Sequence, residues 1–226
     1  MTGVQTCALP ICFNATGQLG DGSYIDRSFP VTVAGLNGVR GAAGGDFHSV
    51  AVKIDGTVWA WGNNSVGQLG DGTTLRRVQP VKVVTLTGVS AIAAGYDHSL
   101  ALKADGTVWA WGSNESGQLG DGTTIGRLAP IRVTGLTNVV AIAGGYSHSI
   151  ALRSDGSVWA WGDNTRGQTG DGTTLPQRLT PVQVKTLTNI VRISSNGASN
   201  LALQRDRKST RLNSSHLRLS RMPSSA

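Results

Sequence analysis

Cysteine is nearly absent. The two present, Cys7 and Cys12, both precede the first repeated segment, so neither a disulfide framework nor a cysteine-based zinc site organises the chain. Charged residues make up only 15% and aromatics 5%. No apolar run approaches the ~18–20 residues of a membrane-spanning helix, so no membrane partner is expected. No GxxxxGK[ST] phosphate loop, no nucleophile elbow and no EF-hand spacing occurs. No cofactor or metal is expected, and the sequence reads as non-enzymatic.

The net charge of +7 raises nucleic acid as a partner. Its location argues otherwise. Residues 207–226 contain Arg207, Lys208, Arg211, Arg218 and Arg221 with no acid, which leaves +2 for everything before them. The repeated region therefore lacks a basic stripe, and no nucleic-acid partner is expected for it.

What the chain has is glycine, 31 residues of it, and repetition. The stretch from His98 to Thr124, HSLALKADGTVWAWGSNESGQLGDGTT, recurs from His48 and from His148, with part copies at both ends. A period of 20–50 residues marks a solenoid, propeller or array. Partial units are expected at 13–38 and 190–206, and full ones at 39–88, 89–138 and 139–189. Each full unit reads as four short strands: an apolar strand such as Val89 to Ala94, a hairpin, and a strand beginning at proline, such as Pro130 to Val133. Asp105-Gly106 between two apolar-rich runs predicts a hairpin with a type I′ turn. Centring that turn there sets Leu102 opposite Trp109, Ala101 opposite Ala110, Leu100 opposite Trp111 and His98 opposite Ser113. One face would then carry Leu100, Leu102, Trp109 and Trp111. The other would carry Ser99, Ala101, Val108 and Ala110. Such sheets stack bulky face on small face, as blades do.

Residues 1–12 and 207–226 fit no repeat. Both resemble translated sequencing-adapter read-through and are expected to stand apart from the fold as a disordered leader and a basic tail. The last unit breaks off at Asp206, in mid-hairpin.

The unit SLAL-x-x-DG-x-VWAWG-x-N-x-x-GQLGDGT resembles the repeat of the regulator of chromosome condensation family over residues 14–206, most closely its glycine-rich bacterial versions. The resemblance implies an all-β, seven-bladed propeller of four-stranded antiparallel blades, of which this chain carries about four. It implies a protein-interaction scaffold with a protein partner, or guanine-nucleotide exchange on a small GTPase, or a propeller-type enzyme inhibitor. Unit lengths of 50, 50 and 51 residues leave no room for an inserted exchange element. Open blade edges imply self-association. Compartment is not indicated, although the bacterial likeness is compatible with a cell-surface or secreted protein.

The residues that look chemical repeat with the units. His48, His98 and His148 could line the axis and take a ligand, but are read as structural, tying strands to neighbouring loops. Trp59, Trp61, Trp109, Trp111, Trp159 and Trp161 are read as packing between blades. Asp71, Asp121 and Asp171 stand in GDG, where they suit turn structure better than a calcium loop. The segment after GDGT varies most between copies. Arg76, Arg77, Gln79, Arg127, Gln177 and Arg178 are therefore the expected partner-binding positions.

Overall fold

The computed structural model describes residues 13–33 and 35–205, and the backbone of 212–215. Cys7, Cys12 and the expected leader lie outside the described residues, as does most of the tail.

Four antiparallel sheets follow one another along the chain. The first is β1 (Val39–Gly44), β2 (His48–Lys53), β3 (Val58–Gly62) and β4 (Arg77–Lys82). The second is β5 (Val89–Ala94), β6 (His98–Lys103), β7 (Val108–Gly112) and β8 (Arg127–Arg132). The third is β9 (Val139–Gly144), β10 (His148–Arg153), β11 (Val158–Asp163) and β12 (Gln177–Gln183). In each, strands pair in chain order. The innermost strands β1, β5 and β9 approach one another, and β9 approaches β13 (Ile190–Asn196). This is the arrangement of blades around an axis, and the chain is an incomplete β-propeller. No helix among the described residues is long and apolar enough to cross a membrane.

The last sheet pairs β13 with β14 (Ser199–Arg205) and β14 with β15 (Leu212–Ser215). Leu212–Ser215 thus occupies the place of a blade's third strand. Over these four residues the structure differs from the expectation that 207–226 stands apart. A bare strand edge is a row of unpaired backbone groups, and an adjacent segment of any composition can pair with it.

The hairpin forms where Asp-Gly predicts it, but with a different turn. Gly106 N donates to Lys103 O (3.0 Å) and Lys103 N to Thr107 O (2.9 Å). The loop is therefore three residues, a type I turn closed by a left-handed glycine at φ +77°. Only Gly106 takes positive φ, while Asp105 accepts from Thr107 N at 3.0 Å. The extra loop residue slips the register by one and reassigns one strand's side chains to the opposite face. Leu102 pairs with Val108, Ala101 with Trp109, Leu100 with Ala110, Ser99 with Trp111 and His98 with Gly112. One face is thus aliphatic (Leu100, Leu102, Val108, Ala110) and the other carries Ser99, Ala101, Trp109 and Trp111. This corrects the expected faces and the expected pairing of His98 with Ser113, which the repeat extends to His48 with Asn63 and to His148 with Asp163. Their partners are Gly62, Gly112 and Gly162.

The corrected faces fit each other across the seams. Leu100, Leu102, Val108 and Ala110 pack with Ala151, Trp161 and Trp159 of the next blade. One seam earlier, Val50, Val52, Val58 and Ala60 pack with Ala101, Trp111 and Trp109. Trp61, Trp111 and Trp161 are wholly buried.

The outermost strands begin before their prolines, not at them. Pro80, Pro130 and Pro181 lie inside β4, β8 and β12. Proline is tolerated there because these are edge strands with one side free of any ladder.

Candidate functional site

The recurring polar residues build the seams. Ser99 of the second blade donates its hydroxyl to Gln68 O of the first at 2.9 Å. Trp111 Nε1 donates to the same carbonyl at 2.9 Å. His48 Nε2 lies 2.9 Å from Ser99 Oγ. Since that hydroxyl proton is already given to Gln68, His48 must carry its own proton on Nε2 and donate it. The next seam repeats this with His98, Ser149, Gln118 O and Trp161. At the third seam Asn200 replaces the serine. Its Oδ1 accepts from His148 Nε2 at 2.8 Å and its Nδ2 donates to Gln168 O at 3.0 Å. Asparagine, with one acceptor and one donor group, preserves the relay.

The other imidazole nitrogen, Nδ1, is buried without a partner in all three histidines. A proton there would be a charge in a dry seam, and burial lowers the His48 pKa to about 4 and the His98 pKa to about 3. Burial lowers that of His148 too. The rings lie in separate seams rather than facing a common point. Among the described residues no group of three or more His, Cys, Asp or Glu could hold a metal ion.

Each GDG loop is a closed hydrogen-bonded unit. Asn64, buried, receives Leu69 N on its oxygen and donates to Asp71 and to Thr73 O. Asp71 also takes Thr73 N, Thr73 Oγ1 and the Arg77 guanidinium. Burial pushes the Asp71 carboxyl up, but these bonds outweigh it and hold its pKa below the usual range. The same pairing joins Arg27 to Asp21, Arg127 to Asp121 and Arg178 to Asp171.

The six expected partner-binding positions consequently divide. Arg77, Arg127 and Arg178 are turned back onto their own loops. Arg76, Gln79 and Gln177 are exposed. The sequence reading missed the loop and seam organisers Asn64, Asn114, Gln68 and Gln118, although all four recur with the period.

The face that holds the GDG loops also holds the β1–β2, β5–β6 and β9–β10 connections. Asn63 N donates to Phe47 O at 2.8 Å and Ser113 N to Asp97 O at 2.9 Å. Aromatic rings run across these connections: Phe13 meets Phe47 edge-on at 6.3 Å, Phe47 meets Tyr96 at 5.7 Å, and Tyr96 stacks on Tyr146 at 4.2 Å. None of these four aromatics is among the positions expected from the sequence. On the GDG loops, Ile25, Leu75, Ile125 and Leu175 occupy one equivalent position in four successive units, each more than half exposed. The hairpin turns form the opposite face. There Lys53, Lys103 and Arg153 lie 5.7 Å from the centroids of Trp59, Trp109 and Trp159.

The family model of the RCC1-like domain matches residues 7–210.

The chain belongs to the RCC1-like domain family.

Among solved structures, this RCC1-like chain is similar to human WBSCR16, at 27% identity and TM-score 0.73 over 84% of this chain and 52% of that one. It is similar to yeast RCC1 (Prp20) in the structure with Kap60 bound, at 25% identity and TM-score 0.72 over 82% of this chain and 46% of that one. A further structure of Prp20p from Saccharomyces cerevisiae shares the fold, at 21% identity and TM-score 0.56 over 89% of this chain and 66% of that one. The RCC1-like chain spans about half the length of the first two. Comparison with curated proteins gives no match.

Proposed function

We propose that this RCC1-like segment is a non-enzymatic scaffold that binds a protein partner through the face carrying the GDG loops. The observation that carries the reading is the row of Ile25, Leu75, Ile125 and Leu175. Four equivalent aliphatic side chains stand exposed on loops that are themselves pinned by buried asparagines, and repeated exposed apolar groups on rigid supports suit a broad partner surface. The recurring histidines and the GDG aspartates are engaged inside the seams and loops. The likeness to yeast RCC1, which is bound to Kap60 in its structure, supports a protein partner.

Guanine-nucleotide exchange is the rival activity. Exchange requires an element that reaches into a nucleotide pocket, and the loops here are short and internally bonded. The test is release of a fluorescent guanine nucleotide from a panel of small GTPases with and without the full chain. The expected result is no acceleration. Acceleration of about tenfold or more, ~1.4 kcal/mol off the barrier, would overturn the scaffold reading.

A further inference from the structure

The mouth of the axis on the GDG face is a cavity of about 200 Å³ whose lining includes Gly45, Asp46, Gly95, Tyr96, Gly145 and Tyr146. Its wall is kept slim by glycine. A Cβ on Gly95 would lie 2.1 Å from His98 Cε1, and one on Gly145 would lie 2.1 Å from His148 Cε1. The loops forming the rim are tied edge to edge, with Tyr96 N donating to Tyr146 O at 3.3 Å and Tyr146 N to Gly197 O at 2.7 Å. The mouth is thus preformed, and the stacked tyrosines form part of its wall.

Its charge is uncompensated. Seven other described aspartates, those of the GDG loops and hairpin turns, pair with an arginine or lysine. None of the ion pairs among the described residues includes Asp46, in the cavity lining, or Asp97 close behind it. Asp97 has only the Gln68 amide, at 2.9 Å. Burial raises the pKa of Asp46. Burial and then the charge of Asp46 raise that of Asp97. An arriving cation would relieve both carboxylates at once. The position also varies between copies. Asp46 stands where the next two copies have Tyr96 and Tyr146, so the mouth offers one carboxylate beside two rings.

We propose that this mouth binds a basic segment of a protein partner, an arginine or lysine side chain entering against Asp46 and the Tyr96–Tyr146 stack. Carboxylate neutralisation and cation–π contact act on the same group there. The site rests on the scaffold reading and specifies the chemistry of its partner.

The experiment is fluorescence anisotropy of labelled hexa-arginine, hexa-lysine and hexa-glutamate titrated against the full chain. Both basic peptides are expected to bind, with affinity falling as salt rises, and hexa-glutamate is not. Asp46→Asn should weaken hexa-arginine binding about fivefold or more, as should Tyr146→Ala. Both positions are exposed, so unchanged thermal melts of the variants are the check that folding is intact. Lys82→Ser, exposed on the outermost strand β4, should leave the affinity unchanged or higher. Absence of basic-peptide binding, equal binding of hexa-glutamate, or undiminished binding by the Asp46→Asn, Asp97→Asn double variant would overturn the site. Those outcomes, alongside a partner whose binding is lost on Leu75→Asp, would leave the scaffold reading in place. Nucleotide release would overturn that reading independently.

Discussion

Each buried histidine holds a proton on Nε2 for its neighbour across the seam and refuses one on Nδ1. This gives the fold a pH dependence whose sign can be worked out. In the unfolded chain a histidine takes up a proton below its ordinary value of 6.5. In the folded chain His48 does so only at about 4 and His98 only at about 3. Protons therefore bind the unfolded state preferentially, and stability falls as pH drops from 6.5 toward those values. At pH 5 the loss is about 2 kcal/mol for each of the two. Asp71 and its equivalents titrate below the usual carboxylate range and act only at lower pH, while Asp46 and Asp97, whose pKa is raised, take up protons first in the folded state and offset part of the loss. Urea denaturation at pH 7.5 and pH 5 should show the loss. His98→Gln, whose amide can still donate to Ser149, should show a smaller one. Equal midpoints at both pH values would contradict buried neutral rings. His98→Ala, which removes both the donor and a wholly buried ring, should cost about 2–4 kcal/mol at pH 7.5.

At the scale of the strand, register rests on glycine as much as on the turn. Gly112, at φ +101°, faces His98, and a Cβ there would lie 2.5 Å from Asp97 O and 3.0 Å from His98 Cα. Gly112→Ala should cost about 2–4 kcal/mol, since backbone cannot yield as a flexible side chain does. Gly44→Ala, with ordinary φ and nothing within 4 Å of its Cβ, should be neutral or slightly stabilising in the same melt. If the two variants melted alike, close backbone approach would not be what fixes the register. The propeller was legible in the sequence because a fifty-residue period with four strand-like segments per unit admits few other folds. The faces were not, because Asp-Gly suits a two-residue type I′ loop and also a three-residue loop ending in a left-handed glycine. That single residue decides on which side Trp109 and Trp111 lie. The seam bonds were out of reach for a different reason: His48 and Ser99 are 51 residues apart and no local pattern links them. Arg77, Arg127 and Arg178 carried a signal that was available. Arginine follows the GDG aspartate by six or seven residues in four copies, a recurrence that indicates a fixed internal partner rather than a free loop.

For the molecule as a whole, stability in a stacked repeat is a sum of unit and seam contributions, so a face without a neighbour is both unstabilised and adhesive. Inside the stack the aliphatic face of one blade is covered by the tryptophan face of the next, as Leu100 and Leu102 are by Trp161. In the last sheet Ala202 and Asn200 are buried in the seam, while Leu201 points the other way and is 48% exposed. Leu201 is the counterpart of Ile150, which is 3% exposed inside its seam. Among the described residues no sheet covers it. The chain as it stands should therefore associate through this face at rising concentration, with the same exposed face of a second copy as the apolar partner. Leu201→Asp places a charge where the covering blade would sit. It should shift sedimentation toward monomer while changing the melting temperature little, because the residue is already half in water. Ala202→Asp, one residue along but inside the seam, should instead lower the melting temperature by burying an unpaired carboxylate. A wild-type chain that sediments as a monomer across a hundredfold range of concentration, with Leu201→Asp indistinguishable from it, would show that the exposed aliphatic face is not adhesive.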